Sequence, residues 1–497
     1  MVNQQTSYRQ IMKATSLFGG VQVFNIIIAI IRSKVVAVLL GPVGMGIMGL
    51  LTASIGIIGN LTNFGLSTSA VKDISIAHTA ENSQRISIIV SVFRRLVWIT
   101  GFLGTIMAFV LSPWLSQLTF GNKDYTIAFM WISLTLFFNQ LSSGQLVILQ
   151  GMRKLKHLAK ANLIGSSLGL FVTLPLYYYF GIEGIVPGII GTAFVTFLLS
   201  WFYARKVKIF SVKVSRRQTI DEGKSMLQMG FMISLSGLLT VGASYIVRVF
   251  ISRTGGIEQV GLYTAGFAII HTYVGLIFNA MGTDYYPRLS AVAHDNKLCK
   301  ETINQQAEIA ILILAPILVV FLTFINWVVI LLYSKQFIDV NDLIYWAALG
   351  MFFKAASWSI SFVFIAKGTS KLFFWNELVT NIYLLGFNIL GYHLMGLTGL
   401  GISFALSYFI YLIQVFVISR LKFAFTFEKQ FIIIFMIQFC IAILAFLSVT
   451  FLKQPYAYIV GALLIASSSY YSVIELDKRI GLKDILLKIM NRFKKSI

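Results

Sequence analysis

The chain has 497 residues, of which 57% are hydrophobic and only 12% charged, where a soluble domain carries about a quarter charged residues; this excludes a water-soluble globule. A net charge of +22 would suit nucleic acid, but the charges sit in short breaks between apolar runs and form no folded basic surface. The two cysteines, Cys299 and Cys440, lie too far apart in sequence to support a disulfide framework or a cysteine metal centre.

A bilayer-spanning helix needs roughly 20 mostly apolar residues. Such runs are predicted at 14–40, 43–70, 87–111, 125–149, 161–180, 184–204, 227–252, 259–283, 306–333, 342–366, 373–395, 398–420, 431–452 and 456–473. The expected class is therefore an all-α integral membrane protein of about fourteen transmembrane helices. The first run is too long for a signal-peptide core and lacks a small-residue cleavage site, so it is expected to stay as the first helix. With the amino terminus inside, 32 of the 40 Lys and Arg fall in or beside inner loops and the tail, and the outer connections hold Lys123, Arg253, Lys335 and Lys453. That split obeys the positive-inside rule with both termini cytoplasmic.

The chain also repeats itself. Gly46-Ile47-Met48 recurs as Gly261-Leu262-Tyr263, Phe64-Gly65 as Met281-Gly282, Gln150 to Lys154 as Lys367 to Lys371, and Gly181 to Ile185 as Gly396 to Leu400. A unit of six helices enters the membrane the same way each time, as in parallel-repeat transporters. The predicted organisation is an N-lobe over 1–204, a basic cytoplasmic linker over 205–226, a C-lobe over 227–421, two further helices over 422–474 and a tail over 475–497. In the tail, Leu482, Ile485, Ile489 and Phe493 share one helical face among basic residues, which predicts a helix lying on anionic inner-leaflet lipid.

Several polar residues fall inside the predicted helices. Gln22, Asn25, Ala29 and Arg32 line one face of the first helix, at steps of three or four, with Lys34 close by. The seventh repeats a small, partly polar face ending at Arg248, with Arg253 just beyond; the second carries Asn63 and the eighth His271. Lys354 lies twelve residues after Asp342 and thirteen before Lys367, roughly 18 Å from either, so it is mid-membrane, where snorkelling reaches poorly. Asp284 and Arg288 could form an inner gate or cap a helix end, and His271 could carry a proton or simply pack. For the arginines and lysines, a structural contact or snorkelling competes with a role in binding. No Asp or Glu lies at mid-depth on the first, second, seventh or tenth helix. Cations without matched anions need a partner, and phosphate suits both Arg and Lys. No metal-ligand spacing, nucleophile elbow or nucleotide-binding fingerprint is present, so neither catalysis nor a cofactor is expected.

These features resemble the polysaccharide transporter family of the multidrug/oligosaccharidyl-lipid/polysaccharide flippase superfamily, Wzx-type O-antigen translocases and lipid III flippases in particular. The resemblance rests on Lys13 to Ser16, on Arg32-Ser33-Lys34 followed by Leu40 to Gly46, on Tyr286-Pro287-Arg288-Leu289-Ser290 and on the Gly151 and Gly181 landmarks, over roughly residues 8–420. It implies two six-helix lobes in a MATE-like V around a cationic cavity that opens alternately to either side, in a bacterial inner membrane. It further implies an undecaprenyl-diphosphate-linked oligosaccharide as cargo, with Arg32, Lys34 and Arg248 where such flippases hold the diphosphate and sugars. Polysaccharide polymerase and chain-length proteins are candidate partners, and H+ and Na+ are the candidates for a coupling ion, whose identity the sequence does not reveal. A lipid II flippase is the nearest rival. A MATE-type drug antiporter would want buried carboxylates, and a membrane glycan polymerase a large outer loop.

Overall fold

The computed structural model describes residues 2–480 except 81, 208, 211 and 213. The amphipathic tail expected over 475–497 lies outside the described residues from 481 onward. Among the described residues every regular element is helical. In chain order they are α1 (Val2–Asn63), α2 (Leu66–Thr79), α3 (Ser83–Val110), α4 (Ser112–Phe120), α5 (Thr126–Ile132), α6 (Leu134–Gly151), α7 (Leu155–Phe180) and α8 (Ile185–Arg205). Then follow α9 (Arg216–Gly255), α10 (Ile257–Ala268), a π-helical stretch Ile269–Val274, α11 (Gly275–Ala291), α12 (Asn296–Leu332), α13 (Asn341–Ala366), α14 (Ser370–Phe423), α15 (Lys429–Phe451) and α16 (Tyr456–Ile480).

Nine stretches among the described residues are long and apolar enough to cross a bilayer. Three of them, Phe24–Asn63, Leu155–Arg205 and Lys371–Phe423, run to 40, 51 and 53 residues. At 1.5 Å per residue each is about 60–80 Å long, twice the roughly 30 Å of hydrocarbon, and each is interrupted by a left-handed glycine: Gly41 (φ 65°), Gly181 (φ 54°) and Gly396 (φ 58°). A residue with a Cβ resists that conformation, so the break falls on glycine. Counting these three as pairs and adding α9 and the α10–α11 segment, the nine stretches account for the fourteen expected crossings.

The same turns display the repeat. Positive φ occurs at Gly41 and Gly256, at Arg153 and Gly368, and at Gly181 and Gly396, each pair 215 positions apart. The hydrogen bonds match as well. Arg153 N donates to Gln150 O and Lys154 N to Leu149 O, as Gly368 N does to Ile365 O and Thr369 N to Phe364 O. The backbone thus aligns Gly368 with Arg153, correcting the sequence match to Gly151 by two positions. Gly282, matched in sequence to Gly65, lies within α11, whereas Gly65 breaks the chain at φ 58°. Gly46 and Gly261, also 215 apart, abut directly: a Cβ on Gly46 would meet Ile257 O at 2.1 Å, and one on Gly261 would meet Pro42 O at 1.8 Å.

Packing divides the chain into two compact units. The first comprises Met1–Gly261 with Leu332–Ser334, and the second Leu262–Leu331 with the chain from Lys335 onward. The core of the first gathers Leu66, Ile74, Ile89, Phe93 and Ile148 from α2, α3 and α6. That of the second gathers Tyr285, Ile303, Ile360, Phe364 and Val415 from α11 to α14. The packing boundary falls one helix later than the repeat boundary, because α9 is bound into the first unit along its length. Arg85 of α3 pairs with Glu222 (Nη2–Oε2 2.8 Å), Arg95 donates to Thr219 (2.7 Å), and Thr119 of α4 bonds the Tyr245 hydroxyl (2.8 Å). Half of the predicted linker is helical, since α9 opens at Arg216, capped by Ser215 Oγ accepting from Gln218 N. In the second unit, Gln438 of α15 donates to Ser472 of α16 (2.8 Å), and Arg479 of α16 reaches Glu308 of α12 (2.6 Å). The two added helices are thereby fastened to α12. Both cysteines are free thiols.

Candidate functional site

The sharpest juxtaposition is in the second unit. Lys354 stands at the middle of α13, a 26-residue helix, and its ammonium lies 3.5 Å from His271 Nδ1. Two residues far apart in sequence, each predicted as a candidate on a different helix, are therefore neighbours. His271 sits in the π-helical stretch Ile269–Val274, a local widening of the kind that recurs at functional sites. Its ring stacks on Phe267 (5.3 Å) and meets Phe404 edge-on (5.9 Å). Lys354 Nζ lies 5.1 Å from the ring centre of Tyr408 and 5.8 Å from those of Phe278 and Phe404, inside the range in which a cation is attracted to an aromatic face. Lys354 is half-buried and His271 exposed, so the pair can be reached. Tyr408 and Phe404 are four apart on one face of α14; that spacing is legible in the sequence, but their partner across the unit is not.

Among the described residues no carboxylate forms an ion pair with Lys354. Ion pairs among the described residues join Arg85 to Glu222, Lys478 to Glu475, and Arg479 to Glu308 and Glu475. Glu377 of α14 is occupied otherwise, accepting from the Tyr411 hydroxyl at 2.9 Å.

In the first unit, Arg32 is half-buried on α1 against α7. A Cβ on Gly169 would come within 3.1 Å of Arg32 Nη2, so the glycine makes room for the guanidinium, and Tyr177 of α7 is its electrostatic neighbour. Arg32 Nε is buried without a hydrogen-bond partner, as are the side-chain oxygens of Asn25 and Asn63. Gly169 and Tyr177 carry no charge or motif that a sequence reading would single out.

The other candidates are engaged structurally. Lys34 Nζ donates to Tyr333 O (2.6 Å), just past the end of α12. Arg248 donates to the Ser244 carbonyl (3.2 Å) and hydroxyl on its own helix. Arg253 is exposed and donates to Leu118 O (3.0 Å) and Gln117 O, capping the last carbonyls of α4. Arg288 is exposed and donates to Gln306 Oε1 (3.0 Å). The side chains of Gln22 and Asp284 lie outside the described residues, and with Asp284 so does the test of an Asp284–Arg288 gate.

The arrangement offers cations, hydroxyls and amides without matched acids, which suits an anionic, hydrogen-bonding ligand.

Residues 35–342 match the sequence family described as polysaccharide biosynthesis protein. The chain is 22% identical to the lipid III flippases of Escherichia coli K12 and Shigella flexneri over 347 residues, 68% of this chain and 81% of theirs. Its fold is similar to that of a multidrug resistance MATE family transporter in an inward-facing conformation, with a TM-score of 0.69 and 18% identity over 81% of this chain and 94% of that one. It is also similar to that of the lipid II flippase MurJ in an inward closed conformation, with a TM-score of 0.68 and 12% identity over 94% of this chain and 99% of that one. The fold is that of the multidrug/oligosaccharidyl-lipid/polysaccharide superfamily, and the chain belongs to the polysaccharide biosynthesis protein family.

Proposed function

We propose that the protein is a flippase that carries an undecaprenyl-diphosphate-linked oligosaccharide, the repeat unit of O-antigen or a related surface polysaccharide, from the cytoplasmic to the periplasmic leaflet of a bacterial inner membrane. The observation that carries this reading is Lys354, a cation at mid-helix held by rings and an imidazole, with no ion pair to it among the described residues. A lone charge at the bilayer centre costs about 2.5–3.5 kcal/mol, and a diphosphate supplies the missing counter-charge. Arg32, with its donor unspent, is the corresponding anion-binding group of the first unit. Alternating access moves the head group while the polyprenyl tail stays in lipid. Both termini are cytoplasmic, H+ or Na+ drives the cycle, and the protein works beside polysaccharide polymerase and chain-length proteins. No covalent chemistry is required of it.

The test is export of surface glycan in cells carrying Lys354→Ala or Arg32→Ala. The reading expects lipid-linked oligosaccharide to accumulate in the inner leaflet with the protein still in the membrane; normal export in both variants would contradict it. A second reading, lipid II transport, is favoured by the similarity to MurJ, which extends over 94% of this chain and so takes in the last two helices. The glycan that accumulates on depletion distinguishes the two.

A further inference from the structure

Inside the first unit is a cavity of about 360 Å³ between α1, α3, α5, α6 and α8. No charged residue lines it, and nine of its fifteen lining residues are Thr, Ser, Asn or Gln. The hydroxyl hydrogens of its threonines are already used. Thr52 donates to Met48 O (2.7 Å), Thr62 to Ile58 O (2.8 Å), Thr100 to Leu96 O (2.9 Å) and Thr135 to Ile132 O (2.6 Å). Asn60 Nδ2 donates to Gly56 O (2.9 Å), and Gln140 Nε2 to Thr100 Oγ1 (2.8 Å). Satisfying the helix carbonyls in this way leaves hydroxyl and amide oxygens with free lone pairs around the cavity. Asn63 Oδ1, also on the wall, is buried with no donor at all. A buried acceptor left unmet is costly, so the lining asks for donors, while the second amide hydrogens of Asn60 and Gln140 let it donate in return; a neutral polyhydroxyl ligand meets both needs.

Volume decides which. A bare cation needs oxygens at about 2.0–2.6 Å on every side, and this space equals about twelve waters at roughly 30 Å³ each. It falls instead in the range of small-molecule pockets, about 300–1,000 Å³. We propose that the cavity is a sugar subsite, holding one neutral pyranose ring of the cargo whose hydroxyls donate to Thr135, Asn63 and their neighbours. This rests on the flippase reading and assigns glycan recognition to uncharged residues of the first unit, separate from the cations Arg32 and Lys354.

The experiment measures binding to the full-length protein in nanodiscs. One probe is undecaprenyl diphosphate alone; the other is the lipid-linked oligosaccharide extracted from cells depleted of this protein. The wild type is expected to bind the glycosylated lipid at least about tenfold more tightly, a difference of about one decade in Kd. Thr135→Val and Asn63→Leu, each close in shape to the native residue, should remove most of that gain while leaving undecaprenyl diphosphate binding unchanged; thermal melting confirms that each is folded. If the gain survives in both folded variants, or the wild type binds the two lipids alike, the sugar subsite is wrong while the flippase reading stands. If neither lipid binds the wild type, the flippase reading itself fails. A stabilisation by sodium over choline that both variants abolish would overturn the proposal in favour of a cation.

Discussion

Lys354 shows how a single charge can be tolerated at the middle of a long apolar helix. Its cost at mid-membrane, about 2.5–3.5 kcal/mol, is partly offset by ring faces at 5.1–5.8 Å, each contributing about 0.5–2 kcal/mol. A charge-assisted bond to phosphate adds about 1.5–3 kcal/mol. Lys354→Gln, which keeps length but not charge, should therefore lower cargo affinity by about ten- to a hundredfold, read as binding in detergent or nanodiscs. Phe404→Leu, which removes a ring but no charge, should cost less than tenfold on the same scale. The depth of Lys354 was legible from its distance to Asp342 and Lys367. Its proximity to His271 was not, because 83 positions separate them and no periodicity relates residues on different helices. Lys34 and Arg253 illustrate the converse: the sequence marks them as cations near the membrane, but only the fold reveals the helix-end carbonyls they hold.

Glycine turns do the corresponding work among the elements. Gly181 and Gly396 carry nearly the same left-handed geometry, φ 54° and 58°, and each reverses the chain between consecutive spans. Left-handed backbone costs a residue with a Cβ about 1–2 kcal/mol, so Gly181→Ala and Gly396→Ala should each lower the melting temperature, and by similar amounts. Gly282→Ala is the contrast: its Cβ would make ordinary contact with Trp358 at 3.5 Å, and alanine is the better helix former by up to about 1 kcal/mol. Thermal unfolding of the three variants should rank Gly282→Ala highest. The sequence repeat located the 181/396 pair correctly because glycine is required at both. It misplaced the 151/368 pair because the first repeat fills the left-handed position with Arg153, which hides the equivalence from a comparison of residue types. The attachment of α9 to the first unit was equally invisible, since Arg85, Glu222, Thr119 and Tyr245 are unremarkable until the fold places them together.

For the whole molecule, composition carried most of the information. Twelve of the fourteen expected crossings follow from length and hydropathy once the three glycine breaks are recognised, and the distribution of Lys and Arg predicts the side on which they begin. Reporter fusions at each end of the chain should both read cytoplasmic; a periplasmic carboxy terminus would require an odd number of crossings and would contradict that topology. Membership of the polysaccharide biosynthesis family is in keeping with the proposed cargo, a glycosylated lipid. The most direct measurement is leaflet exchange in sealed proteoliposomes. The purified protein and its Lys354→Ala variant are reconstituted with lipid-linked oligosaccharide, and outer-leaflet glycan is followed with a membrane-impermeant lectin or glycosidase. The account predicts exchange by the wild type, reduced at least about tenfold in the variant. Equal exchange by the two, or none above protein-free vesicles with an imposed ion gradient, would contradict it.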